Sequence, residues 1–310
     1  MSERWARSWP FSSSAEPELL RQTLEFLLAR WALAAVDRLS FDRACRLGRG
    51  LARIWWLLDR PRRRVAIANI VSTGIEPDRR RARRLGRRSA EHFGIVLIEA
   101  LKSAALVEEE SWREHLELEI APDVMAVLAD PEQALIMVSG HLGNWEIAAH
   151  WLSRFKPVAG ITRPMNNPRV EELVQARKSR YRFHPIPKYG ADAKRLVSVL
   201  NQREILALLT DQHARTGAMA VEFFGRPAAT YTTPAMLHLV TRTPLCFASC
   251  RRIAPKRFAL FTSPLIRRQP TGDRKRDAHA IMTTLNGLLE AEIRKAPEQY
   301  LWVHRRWRDA

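Results

Sequence analysis

The chain has 310 residues, 46% of them hydrophobic, enough to bury a large core and too apolar for a disordered polypeptide. Its formal net charge of +18 calls for an anionic partner: nucleic acid, an anionic membrane surface or an acidic protein. Cys45, Cys246 and Cys250, the three cysteines, are too few for a disulfide framework and lack zinc spacing, which fits a reducing compartment.

The first ten residues lack the charged, apolar and small-residue regions of a cleaved signal peptide. Over 19–36, Leu19, Leu20, Leu24, Leu27, Leu28 and Trp31 recur at three- and four-residue steps, predicting a helix. Arg21, Glu25 and Arg30 interrupt it, so no run reaches the ~20 apolar residues that span a bilayer. A second apolar segment, 47–58, carries Trp55 and Trp56 beside Arg49 and Arg53. Tryptophan and arginine on amphipathic helices suit a membrane interface; a helical hairpin packed on the main domain is the alternative. The expected division is 1–60, N-terminal amphipathic helices that associate with a membrane, and 61–310, the main domain. The arginine runs at 60–64 and 79–88 are either solvated helix faces or a polybasic surface beside anionic lipid. No nucleic-acid-binding pattern accompanies them, so no nucleic-acid partner is expected. A helix at 88–101 is predicted to bury Phe93, Val96, Leu97, Ala100 and Leu101.

From 134 onward strand and helix patterns alternate. Strands are predicted at 134–139, 158–162, 184–187, 205–210, 220–224, 244–250 and 258–263, and helices at 144–153, 168–182, 191–202, 233–241 and 277–295. The fold class is α/β, with a mixed, largely parallel sheet covered by helices.

The most informative stretch is Ala134–Leu152. An apolar strand ends in Ser139-Gly140-His141, and helical spacing resumes after Asn144. His141 then stands at the C-terminal edge of the sheet, where open α/β folds bind ligands, with Glu146 in the first turns of the next helix. A neutral imidazole is a general base near pH 7, and a carboxylate on its far nitrogen fixes the tautomer. A metal on His141, Glu146 and His150 is the rival, but the spacing is not His-Glu-x-x-His. The absence of a Gly-x-Ser-x-Gly elbow argues against a serine hydrolase. Arg163, Asp211 and Phe223-Phe224-Gly225 end other strands, and all are expected on the same side of the sheet. Arg163 suits a phosphate or oxyanion, or a surface salt bridge. Asp211 is a further site residue or a cap. Thr230, Thr232 and Thr233 either cap the helix at 234 or line an anion pocket.

Ser139-Gly-His-Leu-Gly-Asn-Trp-Glu146 resembles the His-x4-Asp/Glu motif of glycerolipid acyltransferases. With Thr162-Arg163-Pro164, Asn167-Pro168, Arg177, Asp211-Gln212, Phe223–Thr230 and Pro297–Trp307 in order, residues 60–307 resemble the bacterial lipid A biosynthesis (secondary, lauroyl/myristoyl-type) acyltransferases. The resemblance implies a glycerolipid-acyltransferase-like fold. It implies transfer of a fatty acyl chain from an acyl carrier protein or coenzyme A thioester to a hydroxyl of a lipid A precursor or related glycolipid. The expected place is the cytoplasmic face of the bacterial inner membrane, in peripheral, monotopic or single-span attachment. In that scheme His141 is the base, Glu146 orients it, and Arg163 and Asp211 bind substrate or stabilise the transition state. No metal or redox cofactor is implied. A lysophospholipid or ornithine-lipid-type acyltransferase fits the same chemistry; a non-catalytic basic membrane- or nucleic-acid-binding protein is the reading from another class. The sequence differs from the family in its charge-broken N-terminal helix, and in Thr233-Pro234 where a Gly-Pro pair is common.

Overall fold

The computed structural model describes residues 15–107, 112–178, 181–215, 217–268 and 270–307; the leader reading of the first ten residues lies outside them. Four helices come first: α1 (Ala15–Arg38), α2 (Phe41–Leu58), α3 (Arg60–Ser72) and α4 (Arg79–Leu101). Aspartates divide the arginine-rich stretches. Asp59 caps α3 by accepting from Arg62 N–H (3.0 Å), and Asp78 caps α4 by accepting from Arg81 N–H (2.7 Å). Among the described residues no helix is long and apolar enough to cross a membrane.

Helix α2 crosses α4 with backbones almost touching. A Cβ placed on Gly48 would lie 2.4 Å from the Gly94 carbonyl oxygen, and one on Gly94 equally close to that of Gly48. Trp56 is buried there and lies against Gly86. By contrast α1 packs mainly on the later helix Pro168–Lys178, with Val36 near the end of α1 against Ala44 and Ile98, and its Leu20 and Trp31 are each 71% exposed.

The remaining elements are α5 (Ala104–Val107), α6 (Trp112–His115), β1 (Leu116–Glu119), α7 (Pro122–Ala129), β2 (Leu135–Ser139), α8 (Trp145–Leu152), β3 (Val158–Thr162), α9 (Pro168–Lys178), β4 (Phe183–Pro187), α10 (Ala193–Asn201), β5 (Ile205–Leu209), β6 (Ala218–Phe223), β7 (Arg226–Tyr231), α11 (Thr233–Thr241), β8 (Leu245–Ala254), β9 (Arg257–Thr262) and α12 (Arg274–Lys295). The main sheet has the order β1-β9-β8-β2-β5-β3-β4. Its described pairs are parallel except β8–β9. Central β2 is buried on both faces: Ile136 and Val138 join one core layer, Leu135 and Met137 the other.

Three expectations change. The strand at 220–224 does not join the main sheet: β6 pairs antiparallel with β7 in a separate hairpin. Phe224 and Gly225 turn it with positive φ (52° and 68°), the conformation a two-residue hairpin needs, so Phe223-Phe224-Gly225 is a hairpin tip rather than a sheet edge. The buried face of α4 is also rotated from the predicted one. Leu97 is 63% exposed, whereas His92 and Glu99 are buried because partners from β8 and the β2–α8 turn satisfy them. Finally, β1, β7, α3 and α7 carry short or charge-dominated patterns that the periodicity passes over.

Candidate active site

Strands β2 and β5 run parallel with Ser139 opposite Leu209. Two residues beyond each lie His141 and Asp211, so the register brings them together. The Asp211 carboxylate takes both His141 groups: backbone N–H to Oδ2 (2.9 Å) and ring Nδ1 to Oδ1 (2.8 Å). With Nδ1–H donating to the carboxylate, Nε2 is left as the basic nitrogen. It faces Gln212, whose Nε2 lies 3.4 Å away, and Trp145 packs edge-on against the ring at 5.2 Å. Burial alone would raise the Asp211 carboxyl. The charge and two hydrogen bonds of His141, with Arg306 behind, outweigh it and hold Asp211 below the ordinary carboxylate value.

The C-terminal segment closes this side. Tyr300 lies buried beside Asp211, and burial together with that carboxylate keeps its phenol protonated. Arg306, 2% exposed, donates through Nη1 to the carbonyls of Gln212 (3.5 Å) and Ala229, and through Nη2 to Thr230 Oγ1 (2.6 Å). Thr230 is therefore an anchor for Arg306. The helix-capping role expected of the threonines is not taken up by Thr232, which stands at the N-cap of α11 without a side-chain cap bond.

The turn carrying His141 is clamped from below. Its carbonyl accepts from Leu301 N–H (3.1 Å), Gly143 N–H donates to Gln299 (3.0 Å), and Asn144 N–H donates to Cys250 (2.7 Å). Gly143 has φ +63°, and a Cβ there would sit 2.0 Å from the Cys250 oxygen, so only glycine fits. Asn144 caps α8 by accepting from Ile147 N–H (3.2 Å), while its amide donates to Glu99 (2.8 Å). Arg252 pairs with Glu99 and donates to His92 Nδ1 (2.7 Å), leaving His92 Nε2–H to donate to the Gly143 carbonyl (3.1 Å). Burial, reinforced by Arg252, pushes the His92 imidazole down to about 3.

The structure thus brings two of the four predicted site residues together, in an unexpected pairing. The position on the far nitrogen of His141, expected of Glu146, is filled by Asp211. Glu146 opens α8 and accepts from the Tyr181 hydroxyl (3.2 Å). Arg163 is exposed just past β3, which lies beside β5 on the same edge of the sheet. His150, the third member of the metal alternative, is turned toward Ser103 (3.2 Å) and stacks on Tyr181, and burial pushes it down to about 4. Tyr300, Arg306, His92, Glu99 and Arg252 were missed. For the first two a signal existed, in the aromatic and basic cluster at 300–307. For the others there was only a charge on an otherwise apolar face.

Fold and site define a class: an α/β protein with a histidine–carboxylate pair at the C-terminal edge of its sheet, the layout of a general-base enzyme. Comparison with known proteins places it more closely. Residues 14–309 match the family model of the bacterial lipid A biosynthesis acyltransferases, and the chain belongs to that family. It is 27% identical over 179 residues to the lipid A biosynthesis palmitoleoyltransferase of Escherichia coli K12, and equally to a lipid A biosynthesis acyltransferase of Shigella flexneri. Each alignment covers 57% of this chain but only 56% of the relative's length. The lipid A biosynthesis lauroyltransferase of E. coli K12 is 24% identical over 278 residues, 88% of either chain.

Proposed function

We propose that this protein moves a fatty acyl chain from a thioester donor, acyl carrier protein or coenzyme A, to a hydroxyl of a lipid A precursor or related glycolipid. The observation that carries the reading is the Asp211–His141 bond at 2.8 Å, which leaves Nε2 available as a base. His141 Nε2 takes the proton of the acceptor hydroxyl as its oxygen attacks the thioester carbonyl. Collapse of the tetrahedral intermediate breaks the carbon–sulfur bond, and the departing thiolate takes the proton back from the imidazolium. No acyl-enzyme is required. Asp211 stabilises the imidazolium, and Gln212 marks the place the acceptor oxygen enters. Arg163 suits an anionic group of the substrate, and Glu146, held by Tyr181, positions the start of α8.

Inner-membrane attachment on the cytoplasmic side completes the proposal. Its support is the outer surface of α1 and α2, where Leu20, Leu24, Leu28, Trp31, Leu51, Ile54 and Leu58 are all exposed. Arginines of α3 and α4 face solvent nearby and suit anionic headgroups.

The test offers purified enzyme both donor types with lipid A precursor and lysophospholipid acceptors. We expect acyl transfer to the glycolipid, and a loss of about 10²–10⁴-fold in His141→Ala with membrane binding intact. Full activity in His141→Ala would remove the base. Transfer to lysophospholipids alone, with unchanged lipid A in a deletion strain, would reassign the acceptor.

A further inference from the structure

Arg306 poses a physical question. A guanidinium this deeply buried normally meets a carboxylate, because desolvating an unpaired charge is expensive. Its hydrogen bonds go instead to neutral oxygens, those of Gln212, Ala229 and Thr230, and Nε has no partner. Among the described residues no carboxylate lies within ion-pair distance of it. One of the carbonyls it grips is that of Gln212, the residue directly after Asp211, which is itself 3% exposed. Two buried opposite charges thus stand near one short segment of backbone, each almost wholly out of the water that would screen it.

We propose that Arg306 is a positioning residue for the His141–Asp211 pair: its buried positive charge keeps Asp211 a carboxylate and restrains the basicity of His141, while its fork fixes the Gln212–His213 peptide just after Asp211. This rests on the reading of His141 as the base. The charged or titratable groups around Asp211 are His141 from the β2–α8 turn, and Tyr300 and Arg306 from the C-terminal segment. Beyond them His304 Nε2 accepts from the backbone N–H of His213 (3.0 Å), and Glu146 lies with Tyr181. Burial lowers the Arg306 pKa, and Tyr300 and Asp211 act against that, so the cation and the carboxylate are already coupled.

The sign follows from Coulomb's law. With the cation removed, the imidazolium beside Asp211 becomes easier to form, and the base is lost at higher pH. The experiment measures kcat/KM against pH, and follows the His141 ring by NMR titration, in the full-length chain and in Arg306→Gln and Arg306→Lys. In Arg306→Gln both the acid limb and the ring titration should move up by about one pH unit. In Arg306→Lys, which keeps the charge but not the fork, both should stay near wild type while kcat falls roughly tenfold. An unmoved titration in folded Arg306→Gln overturns the proposal, even where His141→Ala is inactive and the base reading stands. Should Arg306→Gln not fold, Arg306→Lys decides: a displacement of a full unit overturns the idea, and an unmoved limb supports it. Should His141→Ala stay active, the base reading fails, and the NMR titration still reports on Arg306.

Discussion

The turn at 140–144 and helix α1 solve opposite problems. In the turn, backbone and side-chain polar groups are taken out of water and matched: His141 with Asp211, Gly143 with Gln299 and His92, Asn144 with Cys250 and Glu99. In α1 the apolar groups are left in water, with Leu20, Leu28 and Trp31 each 60% exposed or more. A buried polar network tolerates little change because an orphaned partner costs the full desolvation penalty. An uncovered apolar helix adds little to the stability of the free protein and is free to meet another surface. Substitutions in the first region should therefore damage catalysis and folding, and those in the second only attachment.

The largest effect is expected at Asp211. Asp211→Asn keeps the shape but offers an amide to Nδ1, so the imidazole can adopt the wrong tautomer; activity should fall about 10²–10⁴-fold. Glu146→Gln, measured in parallel, should displace the acid limb of kcat/KM by less than Asp211→Asn does. A larger displacement would return Glu146 to the imidazole. Next comes His92. Its folded-state pKa of about 3 lies below the unfolded value of 6.5, so the unfolded chain binds a proton that the folded one refuses. The stability this contributes is complete above pH 6.5 and is lost as pH falls toward 3. Between pH 6.5 and 5 it amounts to about 2 kcal/mol. Denaturant titrations of His92→Gln should show that much less acid dependence; an identical slope would mean His92 is not held neutral. The smallest effect on the fold is expected from Leu24→Ser with Leu28→Ser. Binding to anionic vesicles should weaken roughly tenfold per residue, with unfolding free energy within about 0.5 kcal/mol. Loss of stability without loss of binding would erase the contrast between the two regions.

Much of the sheet could be read in the chain because its strands are buried on both faces and so appear as unbroken apolar runs; β3 falls at 158–162 as expected. The hairpin β6–β7 defeated that logic. Its residues alternate like a sheet strand, and the positive-φ turn at 224 and 225 pairs it with β7 in a sheet of its own. In the site, the place of His141 at a sheet edge was legible from its strand–turn–helix context, but its hydrogen-bond partner was not. Sequence nearness favoured Glu146, five residues away, whereas the register of two parallel strands delivered Asp211, seventy residues away. Pairing across a sheet is invisible to spacing along a chain. His92 and Glu99 were overlooked for a related reason: α4 buries charge where periodicity leads one to expect leucine.

The contact of Gly48 with Gly94 has a mechanical consequence. Helix α4 carries His92 and Glu99 under the turn of His141, and at Gly48 and Gly94 α2 meets α4 backbone against backbone with no side chain between to act as a cushion. Tilting α2 therefore tilts the floor beneath His141. Were the exposed Leu51, Ile54 and Leu58 to rest on a surface, this crossing would set how far His141 stands from it.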